Sequence, residues 1–309
     1  MSSQSSMILS PSPPRGGRRW PWTLLTLSLA ALCLTPLPAT AGSGGPPRIS
    51  PEASISQRVG VSEVKLRYSR PATRGRTVWG ELVPWDQVWR TGANEATTLT
   101  LSHAGTFQGE KVEAGTYALF TIPGKRRWTL ILNRNTDQWG SFEYRPQQDV
   151  LRVSAEPRKV PPDERLTFVV PEVTADTVSL ELRWAGLAVP FEVRFDTSRL
   201  AREEARRQTS RRPNDTRLAW SWAYYFYKEG INPDQALDLA ARAAQESQVY
   251  WTWSLKARLL ARTGRYPEAV QAAVRALEYG TTDLETSGEA RSDMEYLRTQ
   301  ISEWKAGGS

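Results

Sequence analysis

The amino-acid sequence predicts two domains of different classes, an all-β, sandwich-like domain followed by an all-α domain of helical hairpins. Between residues 48 and 197, apolar and polar residues alternate with a period of two, which is typical of antiparallel strands with one buried face. After residue 198 the period becomes helical, and one helical pattern recurs at a spacing of 33 residues. The 309 residues are long enough to build two hydrophobic cores.

Residues 1–41 have the order of a secretory signal peptide. Three arginines precede a largely apolar run at 20–37, and Ala39-Thr40-Ala41 has the small residues of a cleavage site. A membrane anchor is the alternative, but the run is shorter than the roughly 20 residues that span a bilayer. We therefore expect export to the periplasm or the extracellular space, by a pathway left open, with no transmembrane span in the mature chain. Residues 42–47 are predicted to be a linker.

The chain has one cysteine and one histidine, which excludes many kinds of site. Cys33 lies in the predicted signal, so the mature chain is expected to contain no disulfide, and no zinc site of several Cys and His ligands can form. His103 is interpreted as a surface turn residue without a partner for base catalysis. No glycine loop for phosphates is present, and the basic stretch 199–217 lacks interleaved aromatic residues. We expect no cofactor, no metal, no catalytic residue and no nucleic-acid partner.

Three segments of the β region alternate clearly: 64–68, 178–184 and 191–195. Two others, 117–122 and 128–132, are apolar on both faces and are predicted to be central strands joined by a turn. About eight short strands with turn residues between them favour a sandwich over residues 48–197, with an open barrel as the alternative.

The helical region begins with a charged stretch, residues 198–215, which is predicted to be a linker or a helix. Pro213-Asn214-Asp215 ends it and caps the next helix. Residues 216–309 form the predicted helical domain, with helices at 216–229, 233–247, 249–263, 267–279 and 288–305.

The recurring pattern places alanines at equivalent positions of two helices. Ala236, Ala240 and Ala243 align with three alanines 33 residues later, where small residues let helices approach closely. The segment 264–269 resembles the turn between the helices of tetratricopeptide repeats. The resemblance implies a short array of two repeats, with the last helix as its cap.

Residues 50–195 resemble the domain-of-unknown-function family 2911. The matching words include Ser50-Pro51-Glu52-Ala53-Ser54, Tyr68-Ser69-Arg70-Pro71, Gly75-Arg76, Trp79-Gly80, Trp89-Arg90-Thr91-Gly92-Ala93-Asn94-Glu95-Ala96-Thr97, Ala114-Gly115-Thr116-Tyr117, Trp139-Gly140 and Asp149-Val150-Leu151-Arg152-Val153. The resemblance implies an exported bacterial β-rich domain, followed in some members by helical repeats. It carries no established reaction or ligand.

The segments that carry this resemblance contain arginine, tryptophan and asparagine close to glycine. They lie between the predicted strands, where binding groups usually lie. Guanidinium groups suit a carboxylate, a phosphate or a sugar hydroxyl, and indole rings suit a sugar ring. In the alternative interpretation these side chains close the ends of the core, and the arginines pair with Asp149 or Glu95. The ligand-binding candidates are Arg70, Arg76, Trp79, Trp89, Arg90, Asn94, Trp139 and Tyr144.

Paired carboxylates would allow glycoside hydrolysis. Acidic residues in the same region are Glu81, Asp86, Glu95, Glu143 and Asp149, none of them at a diagnostic spacing. A calcium site from Asp137, Glu143 and Asp149 is a further alternative, although the chain has no EF-hand pattern.

The helical region has its own candidates, because its aromatic residues surround the helices that carry them. They either fill the seams between helices or anchor a partner. The partner-binding candidates are Trp220, Tyr224, Trp251 and Trp253. The preferred function is a non-catalytic envelope module that binds a protein or saccharide partner. A carboxylate- or metal-dependent hydrolase acting on saccharide and a purely structural assembly module are the alternatives, and the oligomeric state is not predicted.

Overall fold

The computed structural model describes residues 46–280 and 288–307 of the chain. Within them, the β part has twelve strands: β1 (Glu52–Val59), β2 (Ser62–Ser69), β3 (Thr98–Leu101), β4 (Gly105–Phe107), β5 (Glu110–Val112), β6 (Gly115–Ile122), β7 (Trp128–Asn133), β8 (Asp149–Ala155), β9 (Arg158–Lys159), β10 (Thr167–Val173), β11 (Thr177–Trp184) and β12 (Leu187–Arg194). The α-helices there are α1 (Thr197–Arg211), α2 (Thr216–Glu229), α3 (Pro233–Glu246), α4 (Tyr250–Arg262), α5 (Tyr266–Gly280) and α6 (Gly288–Gly307). The predicted signal peptide and most of the predicted linker lie outside the described residues. None of the helices in the described ranges has the length and apolarity needed to cross a membrane.

The strands form two antiparallel sheets. The first sheet has the order β1-β2-β3-β6-β7-β8, and the second has the order β10-β11-β12-β4-β5, with β9 paired to β12. The sequence predicts about eight strands, and this number is too low for the described residues. The reason is that β4, β5 and β9 are only two or three residues long, too short to show a period of two.

The two predicted central strands, β6 and β7, are buried on both faces. On one face, Leu119 and Leu130 belong to the main core. On the other face, Phe120 and Ile131 form a small second cluster, against which Tyr144 packs. The segments before β3 and after β7 therefore cover the outer face of the first sheet.

The main core contains side chains from both sheets. The alternation predicted for 178–184 is present, with one exception. Glu181, expected to point outward, is only 5% exposed, because its carboxylate is held by the guanidinium groups of Arg158 on β9 and Arg183. Representative core residues are Leu66, Leu99 and Leu130 of the first sheet and Leu180, Val189 and Phe191 of the second.

The helices α2 to α6 begin and end within two residues of the predicted bounds. The charged stretch after the β part forms α1, whose first turn is capped by Asp196 accepting from the Arg199 N–H at 3.0 Å. Asp215 caps α2 in the same way, accepting from the Leu218 N–H at 2.9 Å. Such caps satisfy backbone donors that have no partner within the helix. The alanines of the recurring pattern are fully buried: Ala236, Ala240, Ala243, Ala269, Ala273 and Ala276.

Helix α1 joins the two parts of the chain through a shared apolar contact. Its Leu200 belongs to the main core of the β part, while Val61 from the β1–β2 turn packs against the helical core. Gly60 in that turn has a φ of +57°, and a Cβ at this position would clash with Thr197 of α1. The β1–β2 turn is thus packed directly against the start of the helical part.

Candidate functional site

Trp79 lies at the centre of a cluster of five indole rings. Its ring centroid is 5.1 Å from Trp128 of β7, 5.7 Å from Trp184 of β11, 5.9 Å from Trp89 and 6.5 Å from Trp85. Most of these pairs are edge-to-face, a preferred arrangement for aromatic rings. The cluster packs the segment between β2 and β3 against strands of both sheets.

Trp89 lies within the main core, and Trp79 packs against it. Trp89 is only 8% exposed and belongs to the main core, and its indole N–H donates to the Gly92 carbonyl at 3.1 Å. The half-buried Trp79 donates to the Ala185 carbonyl at 3.3 Å. Both polar ends are therefore satisfied internally, and these rings serve mainly as packing.

A cleft of about 370 Å³ lies beside this cluster. Three arginines line it, Arg74, Arg76 and Arg90, and no acidic residue is among its lining residues. The remaining wall is largely apolar. It includes Ile49, Pro71, Ala72, Leu82, Val83, Trp89, Ala93 and Trp184.

Arg90 is the unusual member of this group. Its side chain is half-buried, and no hydrogen bond or ion pair to its guanidinium group is found within the described residues. Its Nε atom is fully buried without an acceptor, and burial lowers the pKa of Arg90. A guanidinium group has five N–H donors, so this cation lacks the acceptors that burial normally requires.

The other two arginines of the cleft are held differently. Arg76 donates from Nε to the Thr73 carbonyl at 2.9 Å and from Nη2 to the Ala72 carbonyl at 2.8 Å, which fixes its guanidinium plane. Arg74 has a positive φ of 50°, and its backbone N–H donates to Glu164 at 3.0 Å. Glu164 thus contacts this loop through the Arg74 backbone N–H and the Thr73 hydroxyl, which also donates to its carboxylate.

The side chains of Arg70 and Asn94 connect distant segments of the chain through hydrogen bonds. Arg70 donates to the Leu166 carbonyl at 3.0 Å and to Thr167 Oγ1, joining β2 to β10. Asn94 adopts a φ of 59° and donates to the Ser50 carbonyl at 3.0 Å and to a serine hydroxyl on β2. Neither lines the cleft, so these two candidates hold the surrounding loops together.

Trp139 and Tyr144 lie away from the cleft. Trp139 is 57% exposed, and the guanidinium group of Arg48 lies 5.8 Å from its ring centroid. Tyr144 donates to Asp149 at 2.7 Å and accepts from Arg152 at 2.6 Å. Burial, helped by the bond to this carboxylate, raises the pKa of Tyr144 to about 12. Of the eight ligand-binding candidates, Arg76, Trp89 and Arg90 line one cleft.

The acidic candidates do not form a metal site. Within the described ranges, no three His, Cys, Asp or Glu side chains are grouped as metal ligands would be, so Asp137, Glu143 and Asp149 are not a calcium site. Glu95 pairs with Arg48, and Asp149 pairs with Arg152. The expected acids are thus paired, but with arginines outside the candidate set.

The helical part has a second candidate site, a groove of about 720 Å³. Trp220 and Tyr224 on α2 stack at 5.0 Å, and Trp251 on α4 meets Trp220 edge-to-face at 4.9 Å. These three predicted residues line the groove together. Trp253 does not line it, because this residue packs towards α5, with Lys256 4.8 Å from its ring centroid.

The groove also has polar walls that the sequence interpretation missed. They comprise Arg217 on α2, and Arg258 on α4, which is paired with Asp293 on α6. Arg74 in the cleft was missed as well, although it directly precedes the matching word Gly75-Arg76. A signal for Arg217 existed, since it lies one helical turn before Trp220 on the same face.

Residues 50–193 match the family model described as protein of unknown function (DUF2911), which confirms the resemblance over that segment. The matched segment contains the three arginines of the cleft and ends before α1, so the groove lies outside it. No curated protein matches the chain.

Proposed function

We propose that this chain is an exported, non-catalytic binding protein whose helical part holds a peptide segment of a partner protein. The observation that carries the proposal is the groove. Three aromatic residues predicted from the sequence to bind a partner, Trp220, Tyr224 and Trp251, line this one concave surface. Tryptophan, tyrosine and arginine are the residues that most often anchor protein interfaces.

The proposed architecture is a β-sandwich followed by tetratricopeptide-like helical hairpins. Support for the sandwich is a main core that draws on both antiparallel sheets. Support for the hairpins is the recurrence of buried alanines at a spacing of 33 residues, together with the packing of successive helices. In such arrays the concave surface is a common binding face.

The chemistry of the groove favours an extended segment with an aromatic or apolar side chain and an acidic residue. Tyr224 is 42% exposed, so its ring is accessible to an apolar side chain. Arg217 is exposed and has no ion pair within the described residues, whereas Arg258 is paired with Asp293. One cation at the groove is thus left to attract a carboxylate of the partner.

Export is proposed from residues 1–41, whose arginines, apolar run and small residues follow the order of a secretory signal. The partner is then a protein of the periplasm or the extracellular space. Cleavage after Ala41 is testable by sequencing the N-terminus of the protein recovered from an exporting host.

The binding test selects peptides from a random displayed library against the full chain and measures their affinity by fluorescence polarisation. We expect the selected peptides to share an aromatic and an acidic residue. Tyr224→Ala should weaken their binding at least about tenfold, as loss of an interface anchor does. Arg217→Gln should weaken acidic peptides and leave their uncharged analogues unaffected.

Phe142→Ala is the matched control, because Phe142 is an exposed aromatic residue of the β part, 89% accessible. The affinity of Phe142→Ala for the selected peptides should equal that of the unmodified chain. Selected peptides that bind Tyr224→Ala and the unmodified chain equally well would contradict the groove as the partner site.

A further inference from the structure

We propose that the cleft of the β part, lined by Arg74, Arg76 and Arg90, is a binding site for a small oxyanion. The ligand class is a molecule with one carboxylate or phosphate group and a short apolar body. The proposal is independent of the helical groove, since none of the groove residues lines the cleft.

The charge of the cleft supports an anionic ligand. Elsewhere in the described residues, arginines commonly pair with acids, as Arg67 does with Glu52 and as two arginines do with Glu181. Three arginines and no acidic residue line the cleft, and Glu164 is the carboxylate that contacts the loop of Arg74 from outside the lining. A half-buried cation without acceptors is costly, and an oxyanion in the cleft supplies acceptors to the terminal Nη atoms of Arg90, which unlike its Nε are not fully buried.

The cleft is organised before any ligand binds. The segment that carries Arg90 is tied to β6 by two backbone hydrogen bonds between Trp89 and Thr121, at 2.8 and 2.9 Å. The carbonyl of Arg90 also accepts from the Thr97 N–H at 3.2 Å. Arg76 is fixed by its two bonds to carbonyl groups. Because these positions are already fixed, little conformational freedom remains to be lost on binding.

The apolar wall of the cleft indicates which group the ligand carries beside its oxyanion. Pro71, Leu82 and Val83 line the cleft beside the charged groups, and its volume of about 370 Å³ is that of a small-molecule site. An inorganic ion alone would leave this wall uncovered. An oxyanion attached to an apolar group would contact both surfaces, so phenyl phosphate and benzoate should bind more tightly than inorganic phosphate.

The experiment is isothermal titration calorimetry of the full chain at low salt with three probes: inorganic phosphate, phenyl phosphate and benzoate. We expect at least one of the two aromatic probes to bind. The ratio of the dissociation constants of phenyl phosphate and benzoate distinguishes a phosphate site from a carboxylate site. Arg90→Met should weaken that binding at least about tenfold, because charge-assisted hydrogen bonds are lost.

Arg58→Met is the matched control. Arg58 is exposed on β1, lies outside the cleft and has no ion pair within the described residues, so the same charge is removed without touching the site. The affinity of Arg58→Met for the probes should equal that of the unmodified chain. The groove variant Tyr224→Ala should also bind the probes normally, which separates failure of this proposal from failure of the peptide site.

Two results would overturn the proposal: no binding of either aromatic probe to the unmodified chain, or equal affinity in Arg90→Met. Melting curves show whether the variant is folded. If Arg90→Met does not fold, Arg76→Gln serves in its place, because Arg76 is exposed and bonded only to backbone carbonyls.

Discussion

Arg90 and Asn94 are four residues apart and have opposite relations to the fold. The guanidinium group of Arg90 makes no hydrogen bond within the described residues, whereas Asn94 holds two segments together while adopting a φ of 59°. The sequence suggested that both are ligand-binding residues. The difference between them depends on the hydrogen bonds of Asn94 to residues more than 20 positions away in the sequence. No local sequence pattern predicts such contacts.

Asn94→Ala is expected to lower the free energy of unfolding by about 2 kcal/mol, since two hydrogen bonds are lost and alanine disfavours this φ. Asn94→Gly loses the same hydrogen bonds but adopts the backbone without strain, so it should cost about 1 kcal/mol less. Urea denaturation monitored by fluorescence measures both. Equal costs for the two variants would mean that backbone strain is not important here.

The tryptophans show why the sequence leaves two interpretations open for some side chains. Trp79 directly precedes Gly80, and Gly92 follows Trp89 by three residues, in irregular segments typical of exposed loops. Their burial depends on Trp128 and Trp184, which come from strands of different sheets. Without the order of the strands, the sequence does not reveal which rings meet.

The helices were predicted more accurately than the strands, and the reason is physical. Helix ends are marked locally, by capping side chains such as Asp215 and by Gly230, whose φ of 68° ends α2. A strand is defined by its pairing, and two-residue strands such as β9 carry no internal period. Three of the four candidates in the helical part accordingly converge on one groove, because their rings lie on two regular elements.

The β1–β2 turn provides a test of how tightly an element boundary is packed. Gly60→Ala should cost about 2–3 kcal/mol, because alanine is strained at this φ and its methyl group meets Thr197 of α1. Gly109→Ala in the β4–β5 turn is the control. Gly109 also has a positive φ, +85°, but nothing lies within 4 Å of the added methyl group.

The control variant should therefore lose only the backbone contribution, about 1 kcal/mol. Both costs are measurable as shifts of the urea midpoint. Equal shifts for the two turns would contradict a close contact between the β1–β2 turn and α1.

The whole chain is expected to unfold with coupling between its two parts, because Leu200 of α1 is buried in the main core of the β part. Leu200→Ala should destabilise the β part by about 2–4 kcal/mol. Leu297→Ala on α6 is the control, since Leu297 is equally apolar and fully buried but belongs to a separate cluster formed by α4, α5 and α6.

Backbone-amide hydrogen exchange at increasing urea, read by mass spectrometry, follows peptides of β6 and of α5 separately. Leu200→Ala should lower the unfolding midpoint of the β6 peptides, and Leu297→Ala should lower mainly that of the α5 peptides. An unchanged β6 midpoint in Leu200→Ala would show that the contact does not couple the two parts.

The five-indole cluster gives the molecule a built-in optical probe. Rings whose centroids lie 5–7 Å apart interact as coupled chromophores, so their joint absorption is chiral and depends on their mutual orientation. Because Trp89 and Trp184 also line the arginine cleft, an occupant there would disturb this coupled transition. Binding of the proposed oxyanion would therefore be readable from unlabelled protein.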